Sequence, residues 1–152
     1  MLKVRFRHED AAKRAVAQAE TALGQAQNNH EAAIAERKRY QEWMVQEREN
    51  RYAAILHKKV SPADLGKFRE SLAVLAQGLV DRDEKVRQAE EAVNLAKQKV
   101  DQARADYFAA RRETMKIEEH RKIWLSLAQK EEERVSDLEM EESVRFSVEN
   151  DE

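Results

Sequence analysis

The sequence predicts an all-α fold in which two long helices form an intramolecular antiparallel coiled-coil hairpin, with its turn near residues 57–61. Three observations carry this. Ala, Glu, Lys, Arg and Leu make up 84 of the 152 residues, a bias typical of long helices. The chain has three Gly and one Pro, too few turn formers for a β fold. And the apolar residues recur at heptad spacing in two stretches that match when the chain is folded back on itself.

The first helix is expected over about 8–58, a stretch free of Pro and holding only Gly24. One line of positions repeats every seven residues as Ala12, Ala19, Ala26, Ala33, Tyr40, Glu47 and Ala54. Beside it runs Val16, Leu23, His30, Arg37, Met44 and Arg51.

The turn is marked by Ser61-Pro62. Ser61 suits a helix cap, Pro62 the first helical position and Asp64 the acid of a capping box. Proline also drives the residue before it out of helical geometry.

The second helix is expected over about 62–142. Its first line is Leu65, Leu72, Leu79, Val86, Val93, Val100, Tyr107 and Thr114. Its second is Phe68, Leu75, Arg82, Ala89, Ala96, Ala103, Ala110, Ile117 and Trp124. Such 3–4 spacing makes one seam in a left-handed supercoil. Folding at Ser61 opposes residues whose numbers sum to about 122. Ala12 then meets Ala110, Ala19 meets Ala103, Ala26 meets Ala96 and Ala33 meets Ala89. The neighbouring line pairs Val16 with Tyr107, Leu23 with Val100, His30 with Val93 and Met44 with Leu79. Small residues facing small residues predict close helix approach. Gly66 and Gly78, just past the turn, are expected to loosen that end.

A first helix starting at His8 leaves the second without a partner from about residue 115. The overhang carries Ile117, Ile123, Trp124, Leu125 and Leu127. Residues 131–152 hold ten acidic and two basic side chains and are expected to be a solvated or frayed acidic tail. The whole chain, 1–152, is expected to be a single elongated domain.

Composition narrows function. With no Cys there is no thiol chemistry and no thiolate metal site. Neither a phosphate-binding glycine loop nor a His-x-x-x-His or Glu-x-x-His pattern is present. The expectation is therefore no enzyme, no cofactor and no metal. Net charge is −2 and basic runs are interleaved with Glu, against a nucleic-acid partner. No apolar run is long enough to span a bilayer, and residues 1–7 lack the apolar core of a signal peptide. The expected compartment is the cytoplasm. Glu118-Glu119-His120 points its adjacent side chains in different directions, so His120 is expected at the surface. His30 is expected beside the alanine seam, partly exposed. Trp124 admits two readings: either Leu2, Val4 and Phe6 extend back and cover it, or it anchors a partner, as aromatics often do. At the turn end, Phe68, Leu72 and Leu75 read as core. Two helices cannot bury all of Tyr40, Trp43, Tyr52, Leu56 and Phe68, so part of that cluster is expected at the surface.

The stretch Ala109-Ala110-Arg111-Arg112-Glu113-Thr114-Met115-Lys116-Ile117-Glu118-Glu119-His120-Arg121-Lys122-Ile123-Trp124 resembles the C-terminal half of the FliJ/YscO family, the central stalk proteins of type III secretion ATPases. Lys130-Glu131-Glu132-Glu133-Arg134 and 137–142 are similar to that family's acidic tail. The His-to-Trp spacing resembles the injectisome branch, linked to virulence, more than the flagellar one. The resemblance implies a hairpin like the coiled coil of the rotary ATPase gamma subunit. It implies that one copy inserts into a hexameric secretion ATPase, stimulates it and links it to an export-gate membrane protein at the cytoplasmic face of the apparatus. Escort chaperones are further partners it implies. Carried onto this chain, it places ring binding at the open end, with Arg5, Arg7, Arg111, Arg112, Arg121 and Trp124. Export-gate binding falls at the turn end, with Tyr40, Trp43, Phe68 and Leu72. The free chain is expected to be a monomer that does not insert into membranes. The competing reading is a cytosolic coiled-coil adaptor or escort chaperone with no ATPase partner.

Overall fold

The computed structural model describes residues 2–151. It is all-α, with α1 at Leu2–Ile55 and α2 at Pro62–Asn150 packed against each other as a helical hairpin. No strand occurs among the described residues.

The turn follows from local chemistry. The Leu56 amide still donates to the Tyr52 carbonyl at 3.1 Å, but the Lys58 amide reaches only Ile55, also at 3.1 Å. That tightening closes the last turn of α1. The chain then runs non-helically to Ser61. Its hydroxyl accepts the Asp64 amide at 3.2 Å, and its carbonyl accepts the Leu65 amide at 3.0 Å. Ser61 is thus the cap and Pro62 the first helical residue, as their order implies. The first helix ends at Ile55 instead of near residue 58, because the turn needs six residues to reach that cap.

Residues are partly or fully covered at 12, 16, 19, 23, 26, 30, 33, 37, 40, 44, 47 and 51 of α1. The steps alternate between four and three, as two helices winding about each other require. Both expected lines of α1 are here, except that Ile55 is covered and Ala54 is not. In α2 the covered residues likewise follow the two expected lines from Phe68 and Leu72 to Thr114 and Ile117. Leu65 and Trp124, at the outer ends of those lines, are exposed at 41% and 67%.

The chain divides into two compact units. In the unit Arg14–Arg104 the interhelical contacts fix the register. An Arg104 nitrogen lies 3.1 Å from a Glu20 oxygen, Arg51 donates to the Ser71 carbonyl at 3.2 Å, and the Arg82 guanidinium lies 3.7 Å from the centre of the Tyr40 ring. The last two pairs have numbers summing to 122. Met44, Leu75, Val93 and Val100 are buried, and burying such a side chain is worth roughly 1.5–3 kcal/mol. The alanines Ala19, Ala26, Ala33, Ala89, Ala96 and Ala103 are half-buried.

The other unit comprises Met1–Lys13 and Ala105–Glu152. Ala12 and Ala110 are half-buried in it, and Thr114 is buried with its hydroxyl donating to the Ala110 carbonyl at 3.1 Å. Helix α1 starts at Leu2, six residues before the expected His8. Cover on α2 accordingly lasts to Glu118. The acidic stretch is exposed throughout residues 131–151, and α2 continues through it to Asn150, beyond the expected end near 142. Arg134 lies 2.8 Å from Glu131 there, the i,i+3 pairing that supports an exposed helix.

Candidate functional site

Two surfaces hold the candidate residues, one in each unit. In the unit Arg14–Arg104 the surface lies on the turn side. Its four candidates fall into different environments. Tyr40 is half-buried and its hydroxyl donates to the Leu75 carbonyl at 2.9 Å. Its ring meets Trp43 at 5.4 Å between centroids, and Trp43 is 49% exposed. Phe68 is half-buried and takes the Tyr52 ring edge-on at 5.2 Å. Leu72 is half-buried along the seam. The structure therefore joins Tyr40 to Trp43, and Phe68 to a residue outside the set, Tyr52. Trp43, Tyr52, Leu56 and Leu65 are among the large apolar side chains that reach solvent here. Tyr40 and Leu72 chiefly hold the helices together.

A polar insertion lies beside this cluster. Arg82 occupies a seam position, donates to the Gly78 carbonyl at 3.0 Å and covers the Tyr40 ring. Its Nε comes to 3.6 Å from a Glu36 oxygen, close enough for Coulombic attraction but too far for a hydrogen bond. That Nε is buried without a hydrogen-bond partner. Arg37, the charged seam residue of α1, donates to Asp83. The signal for this insertion was in the sequence: Arg37 and Arg82 are charged residues standing on apolar lines.

In the other unit Arg5, Arg7, Arg111, Arg112, Arg121 and Trp124 are all exposed. Arg111 reaches the Tyr107 hydroxyl at 3.5 Å. Of the two readings of Trp124, cover by the N-terminus fails. Trp124 is 67% exposed, and Val4 and Phe6 are themselves exposed at 55% and 41%. Every residue from 119 to 151 is exposed. The sequence named Ile123, Leu125 and Leu127 on this stretch. It passed over Met140, Val144, Phe146 and Val148, which are equally open and were hidden in the acidic count.

Electrostatics follow from helical neighbours. The Arg134 guanidinium hydrogen-bonds the Glu131 carboxyl and holds it below the usual carboxylate range. Arg87 does the same to Glu84. No group of three or more His, Cys, Asp or Glu able to hold a metal ion occurs among the described residues. His30 is half-buried and His120 exposed. No helix among the described residues is long and apolar enough to cross a membrane.

The comparisons with known proteins agree with this geometry. No curated protein sequence matches the chain significantly. Among solved structures, CT670 from Chlamydia trachomatis, assigned as a YscO homolog, is similar with a TM-score of 0.77 and 24% sequence identity. The match covers 95% of this chain and 89% of that one, and at this identity it speaks for the fold. The profile of the type III secretion protein YscO matches residues 1–145. With nearly the whole chain matched, and a hairpin fold shared with CT670, this protein belongs to the YscO family of type III secretion proteins.

Proposed function

We propose that this type III secretion component is the non-catalytic central stalk of the secretion ATPase. Its residues 2–13 and 105–151 enter the hexameric ring and stimulate it, and its turn side reaches the export-gate membrane protein at the cytoplasmic face of the apparatus. The observation that carries the reading is the uncovered helix around Trp124. An exposed tryptophan flanked by Ile123, Leu125 and Leu127 and preceded by Arg121 has the composition of an interface anchor. A solitary helix gains nothing by exposing it unless a partner covers it.

An asymmetric two-helix insert touches six like subunits unequally. It shifts their equilibrium only through contacts that differ between subunit states. Arg5, Arg7, Arg111, Arg112, Arg121 and Trp124 are the groups proposed to make such contacts, and the half-buried Ala12 and Ala110 keep the insert slim. Escort chaperones are further partners in this reading, and the free chain is a monomer.

The test is hydrolysis by the cognate ATPase, with and without this protein. Trp124→Ala and Arg121→Glu should each cut stimulation on the order of tenfold or more, the scale of a hot-spot loss. Because both positions are exposed, helix content should stay unchanged. Wild-type stimulation by both variants would overturn the assignment of the site. No stimulation by the wild-type chain, alongside capture of secretion chaperones, would put the adaptor reading in its place.

A further inference from the structure

The turn itself carries a charge pattern that the stalk reading does not use. Between residues 48 and 69 there are six Lys or Arg, namely Arg48, Arg51, Lys58, Lys59, Lys67 and Arg69, against Glu49 and Asp64. Over the whole chain acids outnumber bases, 30 to 28. Arg51 is committed to Glu47 and the Ser71 carbonyl. Arg48, Lys58, Lys59, Lys67 and Arg69 are exposed, and among the described residues none of them forms an ion pair.

Apolar side chains stand among these charges. Leu56 is the first residue after α1 and is 73% exposed, the most of any large apolar residue in the described chain. Leu65 is 41% exposed in the first turns of α2. Tyr52, one helical turn before Leu56, is 46% exposed. The order along α1 towards the turn is therefore amphipathic tyrosine, bare leucine, then two lysines.

We propose that this turn docks on an anionic lipid headgroup layer, with Lys58, Lys59, Lys67 and Arg69 meeting the phosphates and Leu56 seated shallowly among them. Four to eight clustered cations are enough to draw a segment to such a surface. Charge combined with a small apolar contact gives reversible binding that either alone does not sustain. Tyrosine favours the depth of the headgroups. A bilayer surface is favoured over an acidic protein because the bases are long, exposed and form no ion pair among the described residues. They are not braced by neighbouring acids, as a bidentate protein contact would want. Residues 131–152, with their ten acids, are unfit for the same surface, so the docking is specific to the turn. This is attachment at the surface, with no helix crossing the bilayer. It does not depend on the ATPase assignment.

The experiment is co-sedimentation of the full-length protein with vesicles of pure phosphatidylcholine and with vesicles containing phosphatidylserine. Binding should appear only with phosphatidylserine and fall steeply as salt rises. The triple variant K58E/K59E/K67E should lower it at least ~100-fold, on the scale of about fivefold per charge near the surface. K58Q/K59Q/K67Q should lower it less, and Leu56→Ser should lower it several-fold with all charges intact. Each variant is read alongside helix content and ATPase stimulation in the absence of vesicles, both of which stay at wild type. Equal sedimentation with the two vesicle types, or binding untouched by the triple variant, overturns the proposal. So does loss in the triple variant of binding to an acidic export-gate fragment when the wild-type chain ignores the vesicles. That result would make the turn a protein contact.

Discussion

The Tyr40 hydroxyl fills the space that Gly78 leaves open: a Cβ on Gly78 would lie 2.1 Å from that oxygen and 2.7 Å from the ring carbon bearing it. The glycine that was expected to loosen the hairpin is therefore the floor of an aromatic packing site. Gly78→Ala should destabilise the protein by about 1–3 kcal/mol, the usual cost of overpacking. It should show as a lower urea midpoint at unchanged slope. In a Tyr40→Leu background the same change should cost little, since the clash is gone and alanine is the better helix former. Additive losses in the double variant would contradict the packing assignment.

Gly66 makes the opposite prediction. Nothing lies within 4 Å of where its Cβ would be, and it is an exposed position early in α2. Gly66→Ala should stabilise by roughly 0.5–1 kcal/mol through helix propensity alone. A thermal melt showing a loss would reveal a contact at this position.

Arg82 holds register at some cost. Its buried Nε without a hydrogen bond is the kind of group whose replacement by a hydrocarbon is often neutral or better. Arg82→Leu should leave stability within about 1 kcal/mol of wild type or raise it. It should also remove the preference of Glu36 and Tyr40 for this one alignment, as loss of a buried polar residue does in coiled coils. Spin labels across the helices should then report a broader distance distribution. A sharp fall in stability with an unchanged distribution would refute this division of roles.

Glu131 titrates in a direction set by Arg134. The hydrogen bond lowers its carboxyl, outweighing a small opposing effect of burial. A carboxyl lowered in the folded state adds stability above its unfolded value, about 4.3. That contribution is lost as pH falls through the lowered folded value. In a carbon-detected titration the Glu131 midpoint should lie below that of an unpaired Glu, and Arg134→Gln should return it. An unchanged midpoint in the variant would mean that the pair does not persist in solution.

The alanine seam can be probed by size. Ala12→Leu or Ala110→Leu, the half-buried seam alanines of the proposed insert, should each cost about 1–3 kcal/mol by forcing the helices apart. If ATPase stimulation survives these changes at saturating protein, a slim profile is not what the ring requires.

Much of the fold was legible because heptad spacing has few causes. The lines through Ala19, Ala26, Val93 and Val100 could be opposed only one way once Ser61-Pro62 fixed the turn, and that register is the one seen at Arg51 with Ser71 and Tyr40 with Arg82. The ends were less legible. Leu2–Arg7 has a weaker apolar pattern, so its helix was not anticipated. The 131–150 stretch was read by charge count, which hides both its i,i+3 pairing and its bare Met140 and Phe146. Among the candidate residues, exposure separated Trp43 and Trp124 from Tyr40 and Leu72. No one-dimensional pattern can do that, because a residue's cover depends on what lies across the seam.

The bare stretch of α2 from residue 119 to 150 has a kinetic consequence. Its backbone hydrogen bonds are guarded by local ion pairs such as Glu131 with Arg134, whereas those around Val93 and Val100 are guarded by the opposing helix. Amide protons should therefore exchange with solvent in two classes: those beyond residue 119 by fraying of a single helix, those near Val100 only when the helices part. A partner that seats on Trp124 would move the first class into the second. The change in exchange along that stretch would then trace the footprint of whatever binds, residue by residue, without the partner's structure being known.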